Sequence, residues 1–253
     1  MIFDNIIVAH ETTHSMKNRN YGKIGLLAAK LDMSKAYDRV EWDFLEGLMG
    51  AMGFASRWIH LIMACVRSVS YSLVINGKQQ GHVVPFRGLR QGDPLSPYLF
   101  LICAEGLVCL MRNAIKKGFL QGVTVANKGP KVSHLFFTDD SLFFCRAIKA
   151  DCETMVNILE TYKRASGQEV NLGKLAIFFS RNTTDEDKNM AMEILGIRRS
   201  LEHESYLGLP MLFGRSKAKE LRYIREKLWS RNRGWNGRLL SQAGRATMIQ
   251  AIG

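Results

Sequence analysis

Two adjacent acids, Asp139 and Asp140, interrupt an apolar, aromatic run at residues 135–144 (LFFTDDSLFF), and few folded arrangements tolerate them there. A run so rich in Leu and Phe reads as two buried strands joined at a tight turn, although the connection lacks the glycine that a two-residue hairpin prefers. Neighbouring carboxylates in such surroundings repel each other and lose hydration, so they persist cheaply only where a cation neutralises them. A divalent metal is the natural candidate.

A third acid, Asp32, follows a second strand-like apolar run at residues 26–31 (LLAAKL). Oxygen-only ligands favour Mg2+ or Mn2+ over zinc, and two such ions about 3.5–4 Å apart form the clamp used for in-line phosphoryl transfer. Asp32, Asp139 and Asp140, at two strand ends, are therefore the candidate metal ligands.

The chain has 253 residues, 47% of them hydrophobic and 23% charged, which gives a globular domain with a sizeable core and excludes a disordered chain. Its net charge of +12 calls for an anionic partner. Most of that charge lies in residues 211–253, where ten Lys and Arg residues face only Glu220 and Glu226. A nucleic-acid backbone fits such a tail, and a solvated helix face is the competing reading. Five cysteines without a C-x-x-C pair argue against a disulfide framework or a zinc ribbon. No signal peptide is visible, and the longest apolar run, residues 98–110, is broken by Glu105, short of a membrane span of about 18 residues. A soluble protein of the nucleus or cytoplasm, without a membrane partner, is the expectation.

Apolar periodicity predicts helices over residues 5–16, 42–52, 58–66, 94–116, 150–165 and 185–195, the last capped by Thr184. Strands are predicted at 25–33, on either side of the Asp139–Asp140 tip, and at 177–180. Residues 70–75 and 82–86 form an expected hairpin around Asn76–Gly77 with a connection longer than two residues. The tail reads as helical from 216 to 234, with a further helix from about 241. Hairpins mixed with helices favour an α+β layer over a doubly wound parallel sheet.

Five segments, in order, resemble motifs A to E of a reverse transcriptase. They are residues 30–45 (KLDMSKAYDRVEWDFL), 87–100 (RGLRQGDPLSPYLF), 133–144 (SHLFFTDDSLFF), 166–180 (SGQEVNLGKLAIFFS) and 206–210 (YLGLP). The likeness is strongest to LINE-type, non-LTR retrotransposons of plants, and residues 235–252 resemble the segment that follows the polymerase core in those elements. The resemblance implies a right-hand polymerase with an antiparallel palm sheet, partial fingers and a helical thumb, divided into residues 1–210 and 211–253. It implies RNA-directed DNA polymerisation, with an RNA template, a DNA primer, dNTPs and two Mg2+ or Mn2+ ions.

Within that family pattern Asp32, Asp139 and Asp140 match the metal-binding, catalytic acids, and Lys174 matches the motif D lysine that neutralises or protonates pyrophosphate. Tyr37 matches the aromatic gate that occludes a 2′-hydroxyl, the group separating ribose from deoxyribose; a plain core tyrosine is the alternative. Asp38, in the same motif, is expected to cap or pair locally. Gln91 and Gly92 match motif B, where a missing Cβ lets backbone approach the nucleotide, and Asp93 and Pro94 make a helix start. Tyr206, Leu207 and Gly208 resemble the primer grip, and Arg222 and Arg225 belong to the basic tail that would bind nucleic acid. Thr138 departs from the Ala, Val or Met usual before the paired acids. The family's upstream fingers segment would precede residue 1, so weak or absent turnover is an expectation too.

Two rival readings remain at this level. A non-catalytic nucleic-acid-binding remnant would keep the palm without polymerising. Separately, residues 10–14 spell HExxH, a zinc-protease pattern with His10 and His14 as ligands and Glu11 as base, whose third ligand would have to be Glu41 or Glu46.

Overall fold

The computed structural model describes residues 2–125, 129–137, 140–171, 174–197, 205–211, 222–233 and 241–243. The chain forms two compact units, Met1–Met211 and Leu212–Gly253.

The first unit is organised by β1 (Leu26–Ser34), the central strand of an antiparallel sheet. On one side β1 pairs along Leu26 to Asp32 with β7 (Asp140–Arg146), and β7 pairs in turn with β6 (His134–Phe137). On its other side β1 pairs first with β9 (Ala176–Phe179) and then, through Met33 and Ser34, with β8 (Glu169–Val170). Leu27, Ala29, Leu31 and Met33 point into one core with Phe143, Cys145 and Ile177. That core is completed by α2 (Trp42–Ala51), α4 (Ser96–Lys116) and α5 (Lys149–Ser166), through residues such as Leu45, Met49, Leu99, Phe100, Met111 and Met155. Phe143 and Phe144 are both fully buried, each contributing about 1.5–3 kcal/mol relative to exposure.

The other helices are α1 (Ile2–Asn18), α3 (Ser56–Arg67) and α6 (Asp185–Leu195). α1 packs on β6, where Asn5 Nδ2 donates to the Phe136 carbonyl at 2.9 Å. Thr184 caps α6 as expected, its hydroxyl accepting from the Asp187 N–H. At the start of α5 the fully buried Asp151 accepts from the Arg146 guanidinium at 2.7 and 3.1 Å and from the Arg146 and Gln121 backbone N–H groups.

Four features differ from the sequence reading. The hairpin of β2 (Tyr71–Ile75) and β3 (Lys78–Val83) closes through two residues, because Asn76 and Gly77 both take positive φ and Ile75 pairs with Lys78. Polar Gln79 and Gln80 continue the strand since this ribbon is solvated on both faces. α4 starts at Ser96, with Pro97 in its first turn, while the Asp93 carboxylate accepts from the Leu95 N–H just ahead of it. By length and composition α4 is also apolar enough to cross a membrane, which the interruption at Glu105 had argued against. Glu105 pairs outward with Arg112 at 2.9 Å, and eight α4 residues are buried. Two short hairpins were unforeseen: β4 (Val123–Thr124) with β5 (Lys131–Val132), and β10 (Ser205–Tyr206) with β11 (Leu209–Pro210).

In the second unit, α7 (Arg222–Arg233) is helical, with Arg222, Arg225 and Lys227 exposed. The predicted helical residues 216–221 and 234 lie outside the described residues, as does most of the segment after 241.

Candidate active site

β1 builds the site because its two faces differ. Odd-numbered residues alternate into the core, while Lys30, Asp32 and Ser34 alternate onto a face that is only half covered. In the β1–β7 ladder Asp32 stands directly opposite Asp140. Residues so opposed carry Cβ atoms about 4.5–5.5 Å apart on the same face, so the two carboxylates share one neighbourhood. Asp140 is thus a strand residue that opens β7, paired with Phe137 as well as with Asp32. Asp139 and Thr138 lie outside the described residues.

Two ammonium groups offset this acidic pair. Lys174 Nζ lies 3.2 Å from Asp32 Oδ2, and Lys30 Nζ lies 3.4 Å from Asp140 Oδ1. Lys174 arrives there because β8 pairs with the end of β1, after which the Asn171 N–H donates to the Asp32 carbonyl at 2.8 Å and the Lys174 N–H to the Asn171 carbonyl at 3.0 Å. Lys30 was not singled out in the sequence. Its signal was a long cation inside an apolar strand, two residues ahead of an acid and hence on the same face.

The second wall joins residues 37–42 to residues 87–91. The Leu89 N–H donates to the Tyr37 carbonyl and the Gly88 N–H to the Val40 carbonyl, both at 2.8 Å, while Trp42 Nε1 donates to the Gly88 carbonyl at 2.8 Å. Gly88 has φ +89°, and a Cβ there would meet the Asp38 carbonyl oxygen at 2.8 Å. Tyr37 stacks on Phe100 of α4, with centroids 4.9 Å apart and planes at 15°, so one ring both packs on the core and faces the site. Gln91 Nε2 donates to Asp38 Oδ1 at 3.3 Å, so Asp38 reaches across to the motif B segment as well as belonging to its own turn. Gly92 has φ +85° with open space where a Cβ would point. An open cavity of about 860 Å³ is lined by Asp32, Tyr37, Gln91, Gly92 and Lys174 together.

The β10–β11 hairpin turns at Leu207 and Gly208, with φ +51° and +82°. Such a backbone costs a leucine about 1–2 kcal/mol, where the matching turn at Asn76–Gly77 uses an asparagine. Tyr206 is 2% exposed and its hydroxyl has no hydrogen-bond partner among the described residues. Burial and, after it, the negative charge of Asp140 push that hydroxyl's pKa up. Arg222 and Arg225 stand on α7 in the other unit.

These residues suit a hard cation. The donors on the shared face are carboxylate oxygens, balanced by two ammonium groups, and the Tyr206 hydroxyl, unpartnered among the described residues, lies within the field of Asp140. Among the described residues, no three His, Cys, Asp or Glu side chains gather into a metal-holding group. The HExxH arrangement is accordingly not assembled. Glu41 pairs with Arg87 at 3.3 Å and Glu46 with Arg67 at 2.6 Å, and the His14 ring meets Asn18 at 3.1 Å.

Among curated proteins, the chain is 56% identical over 68 residues to an uncharacterized mitochondrial protein of Arabidopsis thaliana, covering 27% of this chain and 56% of that protein. It is 27% identical over 173 residues to the transposon TX1 uncharacterized 149 kDa protein of Xenopus laevis, covering 68% of this chain and 12% of that one. It is 26% identical over 161 residues to the Pol polyprotein of the type-1 retrotransposable element R2 of Popillia japonica, covering 64% and 25%. The chain thus spans little more than half of the first relative and a quarter or less of the other two. Two solved telomerases share the fold, each with a TM-score of 0.53: that of Candida albicans, at 15% identity over 73% of this chain and 31% of that one, and that of Candida tropicalis, at 14% over 86% and 33%. The architecture is the α+β right-hand polymerase fold. Residues 3–223 match the family described as reverse transcriptase (RNA-dependent DNA polymerase), and the chain belongs to that family.

Proposed function

We propose that this chain is the polymerase domain of a LINE-type, non-LTR plant retrotransposon, extending a DNA primer on an RNA template. One observation carries the reading: Asp32 and Asp140 face each other on one side of the sheet, and Asp32 lines a cavity together with Tyr37, Gln91, Gly92 and Lys174. Divalent ions bound there, held by Asp32, Asp139 and Asp140, would activate the primer 3′-hydroxyl and stabilise charge on the leaving pyrophosphate. Lys174, 63% exposed, can leave Asp32 and meet the pyrophosphate as negative charge builds on it. The Tyr37 ring, backed by Phe100, cannot retreat from a 2′-hydroxyl. In this reading Gln91, tethered to Asp38, and the bare backbone of Gly92 would bound the nucleotide side, and the Leu207–Gly208 turn would be the element that touches primer. In this reading residues 1–210 are palm and partial fingers, and 211–253 begin a basic thumb that holds phosphates in the nucleus or cytoplasm.

Primer extension on an RNA template with Mg2+ or Mn2+ is the test. Asp32→Asn and Asp140→Asn should each abolish extension while leaving RNA–DNA duplex binding nearly unchanged. Extension that survives in both would refute the assignment. Duplex binding without extension in the unmodified chain would favour the non-catalytic remnant.

A further inference from the structure

Lys30 is the least expected residue of the site. Every other residue of β1 from Leu26 to Leu31 is apolar, and lysine is seldom placed well inside a folded chain without a partner. Its side chain is only 14% exposed, its Cα partner on β7 is Leu142, and its ammonium lies diagonally against Asp140 at 3.4 Å. The two site lysines therefore differ in kind. Lys174 comes from a short segment after β8 and is 63% exposed, able to swing. Lys30 has its stem packed along the central strand and its charge confined to the acidic face.

We propose that Lys30 is a positioning residue that stands in for a divalent ion: its ammonium holds Asp140 when no metal is bound and then competes for that carboxylate, setting the metal concentration at which the site fills. The inference rests on the metal-binding reading above. Opposed carboxylates on neighbouring strands repel, and a fixed positive charge beside them keeps the ladder closed in the metal-free protein. The same charge opposes an entering ion, and a packed stem cannot carry it away. Lys174 adds to the metal-free balance at Asp32, but its exposure lets it leave. Removing the Lys30 charge should tighten metal binding roughly tenfold, the effect that a single and a double charge about 6 Å apart exert on each other at water-like dielectric.

Mn2+ binding to the whole chain, followed by the paramagnetic resonance of free Mn2+, reads this directly in the unmodified protein, Lys30→Met and Lys30→Arg. Lys30→Met should bind about tenfold more tightly and Lys30→Arg within about twofold of the unmodified chain. Lys30→Met should also melt lower in EDTA and recover with Mn2+, a combination that loss of packing alone would not produce. An affinity in Lys30→Met equal to or weaker than that of an unmodified chain that does bind Mn2+ would overturn the role of Lys30 and leave the metal reading standing. Failure of both proteins to bind would overturn the metal reading and Lys30 with it. Should Lys30→Met be unfolded in EDTA, return of its circular dichroism on adding Mn2+ supports the proposal, and no return refutes it.

Discussion

Gly88 and Gly92 offer a matched pair in which the cost of crowding at the wall of the candidate site can be separated from the cost of backbone strain. Their φ angles, +89° and +85°, are nearly the same, so replacing either with alanine costs about 1–2 kcal/mol of left-handed strain. Only at Gly88 would the new Cβ strike backbone, the Asp38 carbonyl oxygen at 2.8 Å. Relieving that clash must push apart two segments laced by the Gly88-to-Val40 hydrogen bond, which adds about 1–3 kcal/mol of overpacking. Gly88→Ala should therefore destabilise by about 2–5 kcal/mol and Gly92→Ala by about 1–2. For a unit of this size the difference amounts to a melting-temperature gap of several degrees, at about 2–4 °C per kcal/mol. Thermal and urea unfolding of the two variants in parallel measure it. Gly92→Ala, standing at the open cavity, should lose extension while destabilising less than Gly88→Ala. Equal destabilisation by the two substitutions would refute the claim that the residue 37–42 and 87–91 segments are in close contact through Gly88.

Other consequences are equally direct. Asp151→Ala should cost about 3–5 kcal/mol in urea unfolding, because the Arg146 guanidinium and two backbone N–H groups lose a fully buried acceptor. Burial raises the Cys103 and Cys152 thiols to about 12 from an ordinary value of 9.0. Their contribution to stability should thus be complete below pH 9 and decline as pH rises toward 12, and a thiol reagent should label exposed Cys65 and Cys109 before the buried three. Tyr37→Val should raise incorporation of ribonucleotides relative to deoxyribonucleotides in primer extension. Charge reversal at both Arg222 and Arg225 should weaken duplex binding and flatten its logarithmic salt dependence by roughly 0.7–0.9 for each phosphate that is no longer neutralised.

Local signals were legible in this sequence where a single element sufficed to explain them. The apolar run of β1, the Thr184 cap of α6 and the amphipathic α5 needed no knowledge of their neighbours. The β2–β3 connection was read as too long because the polar residues after Gly77 resemble loop, and only a ribbon wet on both sides makes them strand. The Pro94 helix start moved to Ser96 because the Asp93 side chain takes up the intervening N–H. Candidate residues announced by unusual chemistry, Asp32 and Asp140 above all, were visible; how they meet was not, since the β1–β7 register is a tertiary fact. Lys30 went unnoticed for the same reason: its partner is remote in sequence, on another strand.

The facing of Asp32 and Asp140 also makes chemistry a witness to folding. A β-strand repeats every two residues, so a slip of one position between β1 and β7 would turn one carboxylate toward the hydrocarbon interior while its counterpart stayed outside. A single-residue insertion or deletion within either strand would thus be felt twice over, once as a misfolded sheet and once, in the proposed role of these acids, as a broken catalyst.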